Sequence, residues 1–414
     1  MPDAWGRERA QPVAVGPPRR RMSRVDRIRE ARSRRRRRNV RGFTLGVFIV
    51  IVVGAVFLGS RLWHTVFDAG GDYSGDGVSD VVIQIHDGDS TTAIGETLEG
   101  HKVVATVRAF VVAAEGNSAM TSIQPGFYKV RTEIPASDAV ARLTDAQNRV
   151  GKLVIPEGRQ LDDIQDVKTS AVTDGIFTLI SDATCVDLDG DRRCVSTDDL
   201  RDAASTASPS ALSVPDWATK AVNAMGDDHR RLEGLIRPGS WDIDPSASPQ
   251  DILSTLIGVS AYQYAQGGLL DTAKALGMTP YQILTVASLV QREAKPHDFD
   301  KVARVIYNRL HEHRTLEFDS TVNYPLDRQE VATTDADRGL RTPWNTYVRQ
   351  GLPATPICSP GGPALAAAEH PAEGDWLYFV TIDLQGTTLF TRDYPQHLAN
   401  IELAKRNGVL DSAR

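Results

Sequence analysis

The sequence predicts an α+β protein in three parts: a single N-terminal transmembrane helix, a small α+β module and a larger mixed α/β domain. Three observations predict this. A run of 17 uncharged residues, FTLGVFIVIVVGAVFLG at 43–59, is long enough to approach the thickness of a hydrocarbon core. Charge is divided sharply along the chain. Residues 1–41 hold fifteen Arg and four acids, a net of +11, which leaves −17 for the rest of a chain whose total is −6. Beyond the apolar run, segments that alternate apolar and polar residues are interleaved with segments of helical periodicity. The length of 414 residues allows two or three domains, and 41% hydrophobic with 24% charged residues excludes collagen-like or wholly disordered chains.

The elements follow in order. Residues 1–41, with Arg runs and Pro12, Pro17 and Pro18, are expected to be a disordered Arg-rich tail. Residues 42–63 are expected to span the membrane, with Arg61 able to snorkel and Trp63 suited to the interface. A cleaved signal peptide is the rival reading. A forty-residue segment before the apolar run, and no A-x-A site after it, favour an uncleaved anchor. Thirteen of the fifteen Arg lie at 19–41, so the positive-inside rule places the N-terminus in the cytoplasm and the acidic body outside. Contact with anionic lipid explains the Arg run more simply than nucleic acid does, and no nucleic-acid partner is expected.

Residues 64–78 read as a linker. In the module at 79–145, residues 81–90 alternate like a strand ending in an Asp-Gly turn, 91–100 have helical spacing, 123–133 read as turn and strand, and 138–143 start a short helix. Residues 152–164 resemble a second strand-turn-helix unit. An insertion is expected near 181–215. Its Cys185 and Cys194 are able to close a small disulfide loop, leaving Cys358 over. Asp187, Asp189 and Asp191 around Gly190 suggest a calcium loop, but the glycine sits at position 4 rather than 6, and a solvated acidic turn is the simpler reading. No metal site is expected. Residues 203–215 read as a loop, 217–279 as mainly helical and 375–383 as a strand; 402–414 form a C-terminal tail.

The segment TPYQILTVASLVQREA at 279–294 carries the chemistry. Thr279 is a helix cap, Pro280 suits the first helical position, and Ile283, Val286, Ala287 and Val290 form an apolar stripe. Glu293 continues that stripe. A carboxyl against apolar walls keeps its proton to higher pH and suits a general acid. A Glu paired with a cation at a helix end is the alternative. Residues 301–310 form a second amphipathic helix, and the polar, aromatic, Pro- and Gly-rich stretches at 318–326 and 342–365 suit sugar recognition.

Seven motifs then occur in an order similar to that of the endolytic murein transglycosylase (YceG-like) family: IPEG at 155–158, RLEGLIRP at 231–238, ASLVQRE at 287–293, VIYNRL at 305–310, FDSTVNY at 318–324, WNTYVRQGLPATPICSPG at 344–361 and LYFV at 377–380. The resemblance covers about residues 81–401. It implies a LysM-like module at 79–145 and a catalytic domain at 146–401. It further implies an enzyme, a lyase, that cuts peptidoglycan strands internally between N-acetylmuramic acid and N-acetylglucosamine, forms 1,6-anhydro ends, and needs no cofactor. The family's catalytic glutamate falls on Glu293. Asn308, Arg309, Asp319, Ser320, Thr321, Asn345, Thr346 and Tyr347 are the implied substrate-binding set. Arg309 is equally compatible with a helix-end salt bridge. Glu157 and Glu233, in turn-forming motifs, read as structural, with Gly158 and Gly234 free to take positive φ. The chain departs from the family pattern at Gln291, where another acid is common, at Ser320 in place of proline, at 351–355, and at Thr388 or Leu389 in place of a histidine. A hydrolytic muramidase and a non-catalytic peptidoglycan-binding scaffold are the alternatives. Cell-wall synthases are possible partners.

Overall fold

The computed structural model describes residues 71–409, except 168, 327 and 330–332. The expected tail, the membrane span at 42–63 and the first part of the linker, 64–70, lie outside the described residues. Among the described residues no helix is long and apolar enough to cross a membrane.

The first module follows its sequence pattern. Strand β1 (Asp80–Ile85) leads into α1 (Thr91–Gly100), capped by Ser90, and then α2 (Val107–Glu115), capped by Thr106. Strand β2 (Gly126–Arg131), α3 (Ala136–Thr144) and β3 (Arg149–Val150) complete it. The antiparallel sheet has the order β1-β2-β3. Ile83, Ile85, Leu98, Phe110, Val130 and Leu143 fill a separate small core. The third strand lies past residue 145, so the sheet extends into 149–150.

In the larger part, β4 (Lys152–Ile155) pairs antiparallel with β9, at residues 239–242. The strand-turn-helix pattern at 152–164 is corrected here: no helix follows the turn. Leu161 N–H donates to Glu233 Oε2 at 3.0 Å, and Asp163 accepts from Gly175 N–H at 2.6 Å. Both contacts hold the chain extended into β5 (Ile164–Asp166) and β6 (Val172–Thr173). The helix comes later, as α4 (Ile176–Thr184).

The insertion is a disulfide-closed hairpin. Cys185 and Cys194 are bonded across β7 (Val186–Leu188) and β8 (Asp191–Arg193). The acidic turn docks on the first module. Asp80 N–H donates to the Asp189 carboxylate at 3.0 Å, Asp189 N–H donates to Asp80 Oδ2 at 3.0 Å, and Arg131 bridges both carboxylates. Among the described residues no group of three or more potential metal ligands forms. The loop reading of 203–215 is corrected in part. Ser196 caps α5 (Thr197–Thr206), whose buried Leu200 and Ala204 keep the helix on the core through residue 206.

Helices α6 (Asp216–Ala224), α7 (Pro249–Gln266) and α8 (Leu269–Leu276) flank β9 (Gly239–Asp242) in the chain and account for the helical pattern at 217–279. They lead into α9 (Pro280–Glu293). Its N-terminus is a complete capping box: Thr279 accepts from Gln282 N–H, and the Gln282 side chain accepts from Thr279 N–H. All the positions of the expected stripe are buried, and so are Tyr281, Leu284, Thr285, Ser288 and Leu289. The helix has no solvent face over 283–290. It packs on α6, α8, α10 (Phe299–His311), α11, at residues 319–323, and α13, at residues 362–369. Two of its three buried hydroxyls are satisfied locally: Thr285 donates to Tyr281 O, and Ser288 donates to Thr285 O while accepting Ile357 N–H; the Tyr281 hydroxyl is buried with no hydrogen-bond partner among the described residues.

The chain then forms α11 (Asp319–Asn323), β10 (Arg328–Gln329), α12 (Asp335–Arg338) and α13 (Gly362–Glu369). The hairpin β11 (Tyr378–Thr381) and β12 (Thr388–Thr391) matches the strand expected at 375–383. Helix α14 (Tyr394–Arg406) packs on that hairpin. Leu289 is wholly buried at the centre of this core. Leu289→Ala is expected to cost about 2–5 kcal/mol, measured as a lowered midpoint in urea unfolding.

Candidate active site

Glu293 is the last residue of α9, and Ala294 turns to an extended conformation. The helix is locked on all sides, so the carboxyl leaves it at a fixed place. Glu293 keeps some exposure, but protein surrounds its carboxyl. Burial above all, helped by the nearby Asp319 charge, raises its pKa to about 7. The Ser320 hydroxyl and backbone N–H, and the Arg292 cation, oppose that rise. The Ser320 hydroxyl is buried and makes no complete hydrogen bond of its own.

Asp319 is the opposite case. Burial alone would raise its pKa, but the donors around it outweigh that and hold it below the usual range. Its Oδ1 accepts from Thr333 Oγ1 at 2.7 Å, Tyr347 OH at 2.7 Å and Arg338 Nε at 3.2 Å; its Oδ2 accepts from Arg338 Nη2 at 3.1 Å. Arg338 also lies over the Tyr347 ring, 5.1 Å from its centroid. The Asp319 charge acts on Glu293, and the two carboxyls have their pKa values pushed apart. One is able to hold a proton near neutrality and the other stays charged.

The structure brings Glu293, Asp319, Ser320 and Tyr347 together. The other sequence-derived candidates hold the walls. Thr321 and Thr346 are buried and share a hydrogen bond of 2.8 Å, and Thr346 accepts Phe318 N–H at 3.1 Å. Asn345 is buried too. Its Nδ2 donates to the carbonyls of Arg338 at 3.0 Å and Leu340 at 2.6 Å. Asn308 donates to Trp376 O at 2.9 Å. Arg309 donates to Leu377 O and Leu316 O, both at 2.7 Å, and lies 3.6 Å from Glu317. Its guanidinium thus supports backbone and pairs with an acid.

Sequence reasoning missed Thr333 and Arg338. The Thr-x-x-Asp pattern at 334–337 announces a capping box, which α12 does form, but nothing local announces a partner for Asp319. Glu233 fits its structural reading. It is fully buried, accepts from Leu161 N–H and from Tyr324 OH at 2.8 Å, and burial pushes its pKa to about 8. Gly158 and Gly234 adopt φ of +76° and +77°, as expected, and Gly234 is also backed against Pro356.

A carboxyl able to hold a proton near neutral pH, with a charged acid acting on it, is the arrangement that general acid-base cleavage of glycosidic bonds uses. The profile of the YceG-like family matches residues 83–403, and the chain belongs to that family. It is 27% identical over 355 residues to the endolytic murein transglycosylase of Bacillus subtilis, covering 84% of this chain and 89% of that one. It is 24% identical over 341 residues to the endolytic murein transglycosylase of Streptococcus pneumoniae D39, covering 78% of this chain and 58% of the pneumococcal protein. The crystal structure of a yceG-like protein from Listeria monocytogenes shares the fold, with a TM-score of 0.50 and 24% identity over 77% of this chain and 98% of that chain.

The raised pKa has a thermodynamic consequence. Between the ordinary value of 4.5 and about 7, the folded chain keeps a proton on Glu293 that the unfolded chain has released. This group's contribution to stability therefore falls as pH rises through that window. Glu293→Gln is expected to be more stable than the parent at pH 8, by about 1–3 kcal/mol, with the difference vanishing near pH 4. Urea unfolding at the two pH values measures it.

Proposed function

We propose that this chain is a membrane-anchored endolytic lytic transglycosylase that cuts peptidoglycan strands between N-acetylmuramic acid and N-acetylglucosamine. The observation that carries the reading is Glu293, a carboxyl at the end of a buried helix whose pKa of about 7 lets it hold a proton near neutrality. Membership of the YceG-like family and the names of the bacillary and pneumococcal relatives support the substrate class.

In the proposed mechanism, protonated Glu293 gives its proton to the glycosidic oxygen as the bond to C1 of the muramic residue breaks. The resulting carboxylate takes the proton from that residue's own C6 hydroxyl. The C6 oxygen bonds to C1 and closes a 1,6-anhydro ring. The proton returns to Glu293, no water is consumed, and one residue serves as acid and then base. Asp319 is not suited to act as nucleophile or base, because Oδ1 already accepts three hydrogen bonds and Oδ2 accepts from Arg338. Its role is electrostatic: it favours the protonated form of Glu293 and stabilises positive charge at C1 in the oxocarbenium-like transition state.

The same reading assigns the outer parts. The Arg-rich residues 1–41 lie in the cytoplasm, residues 42–63 anchor the chain, and the module at 79–145 is LysM-like and holds glycan outside the membrane. Cutting close to the membrane limits the length of new strands, with cell-wall synthases as partners. Full-length protein in detergent is expected to release fragments with 1,6-anhydro ends from peptidoglycan. Glu293→Gln is expected to release them at least about 100-fold more slowly, by mass spectrometry of the products. Reducing ends in place of anhydro ends would make the chain a hydrolytic muramidase. Unchanged release by Glu293→Gln would remove the catalytic assignment and leave the scaffold reading.

A further inference from the structure

Arg338 lies 19 residues beyond Asp319 and outside every motif that marks the family. Yet its guanidinium makes a two-point contact with the Asp319 carboxylate, Nη2 to Oδ2 at 3.1 Å and Nε to Oδ1 at 3.2 Å. Its Nε is also 3.0 Å from Thr333 Oγ1, which itself donates to Asp319. The ring of Tyr347 lies under the guanidinium, and its hydroxyl donates to the same Asp319 oxygen. A planar fork of this kind fixes a carboxylate in orientation as well as in charge.

The short helix that carries Arg338 is itself held. Thr334 and Asp337 cap its start reciprocally. At its end, the buried Asn345 side chain donates to the carbonyls of Arg338 and Leu340 and accepts Tyr347 N–H at 2.9 Å. Asn345 thus joins the two segments that supply Arg338 and Tyr347. The chain of contacts runs from Asn345 to Arg338, from Arg338 to Asp319, and from Asp319 to its sequence neighbour Ser320, which faces Glu293.

We propose that Arg338 is a positioning residue of the reaction: with Thr333 and Tyr347 it clamps the Asp319 carboxylate in place beside Glu293. It touches neither the reacting bond nor Glu293. It acts by fixing where the negative charge stands and how much of that charge is left uncompensated. Arg338 is also 3.9 Å from Asp335, a fully exposed acid one turn earlier. The groups that act on Glu293 are Asp319 and Ser320 from α11, Tyr347 from the following loop and Arg292 from its own helix. Of these, Asp319 is the group that Arg338 holds.

The inference rests on the transglycosylase reading, and the test separates the two. The rate of anhydro-product release is measured against pH for the full-length parent, Arg338→Ala, Arg338→Lys and Asp319→Asn. The parent should lose activity as pH rises through the Glu293 pKa. In Arg338→Ala, Thr333 and Tyr347 still donate to Asp319 and keep it charged, but its charge is no longer offset. The alkaline limb should move to higher pH and kcat/KM should fall about 10-fold to 100-fold. In Asp319→Asn the charge is gone, and the limb should move to lower pH by about one unit. Arg338→Lys keeps the charge and loses the fork, so its limb should stay near the parent's while kcat/KM still falls. Opposite shifts in Arg338→Ala and Asp319→Asn support the clamp. Limbs that stay put, or move the same way, overturn it, and Arg338→Lys with full kcat/KM overturns the positioning role. If Arg338→Ala does not fold, Arg338→Lys and Asp319→Asn decide the matter by the same criteria. A parent that releases no anhydro product defeats the reading of function instead.

Discussion

The burial of α9 on every side is the constraint on which the rest of the structure depends. A helix with one solvent face tolerates small rotations about its axis. This one packs on five other helices, and its Thr285 and Ser288 hydroxyls bond to its own carbonyls, so neither rotation nor sliding is cheap. The last side chain it carries, Glu293, inherits that rigidity. The carboxyl sits where the packed core meets the surface, surrounded enough to hold a proton and open enough to meet a substrate. Keeping a carboxyl there disfavours the folded state once the group ionises, a cost in stability of the kind that functional sites carry.

Around this point the polar residues divide their work. Asp319 collects donors from three directions and remains charged, while Glu293 meets mainly Ser320 and stays close to neutral. Asn308, Arg309, Thr321, Asn345 and Thr346 have side chains suited to binding sugar hydroxyls. The structure uses them to tie loops to helices. A loop without regular structure has backbone groups that need partners, and side-chain amides, hydroxyls and a guanidinium supply them. The long stretch at 342–361 keeps its shape in this way, and Tyr347 can meet Asp319 because Asn345 and Thr346 are anchored beside it.

The disulfide-closed hairpin shows the same economy at a distance from the chemistry. Its acidic turn is a docking point. The reciprocal bonds between Asp80 and Asp189, with Arg131 across both, tie the first module to the larger part of the chain. Two carboxylates so near each other are tolerable because backbone N–H groups and a shared guanidinium offset their repulsion.

The sequence by itself determined the local elements and singled out Glu293 as the candidate residue. Period and capping signals are properties of neighbours in the chain, so the helix from Thr279 to Glu293, the strands at 80–85 and 378–381, and the positive φ at Gly158 and Gly234 were all legible. The order of seven motifs was enough to mark the family and to single out Glu293. The tertiary structure alone decided what the polar residues do. Arg309 has the same sequence context whether it meets a sugar or the carbonyl of Leu377. The pairing of Asp319 with Arg338 spans 19 residues and leaves no periodic trace. The segment after Leu161 has the pattern of a helix, but a long-range bond to the buried Glu233 keeps it extended. Each of these outcomes depends on which groups meet in space and how little water reaches them, and spacing along a chain does not encode that.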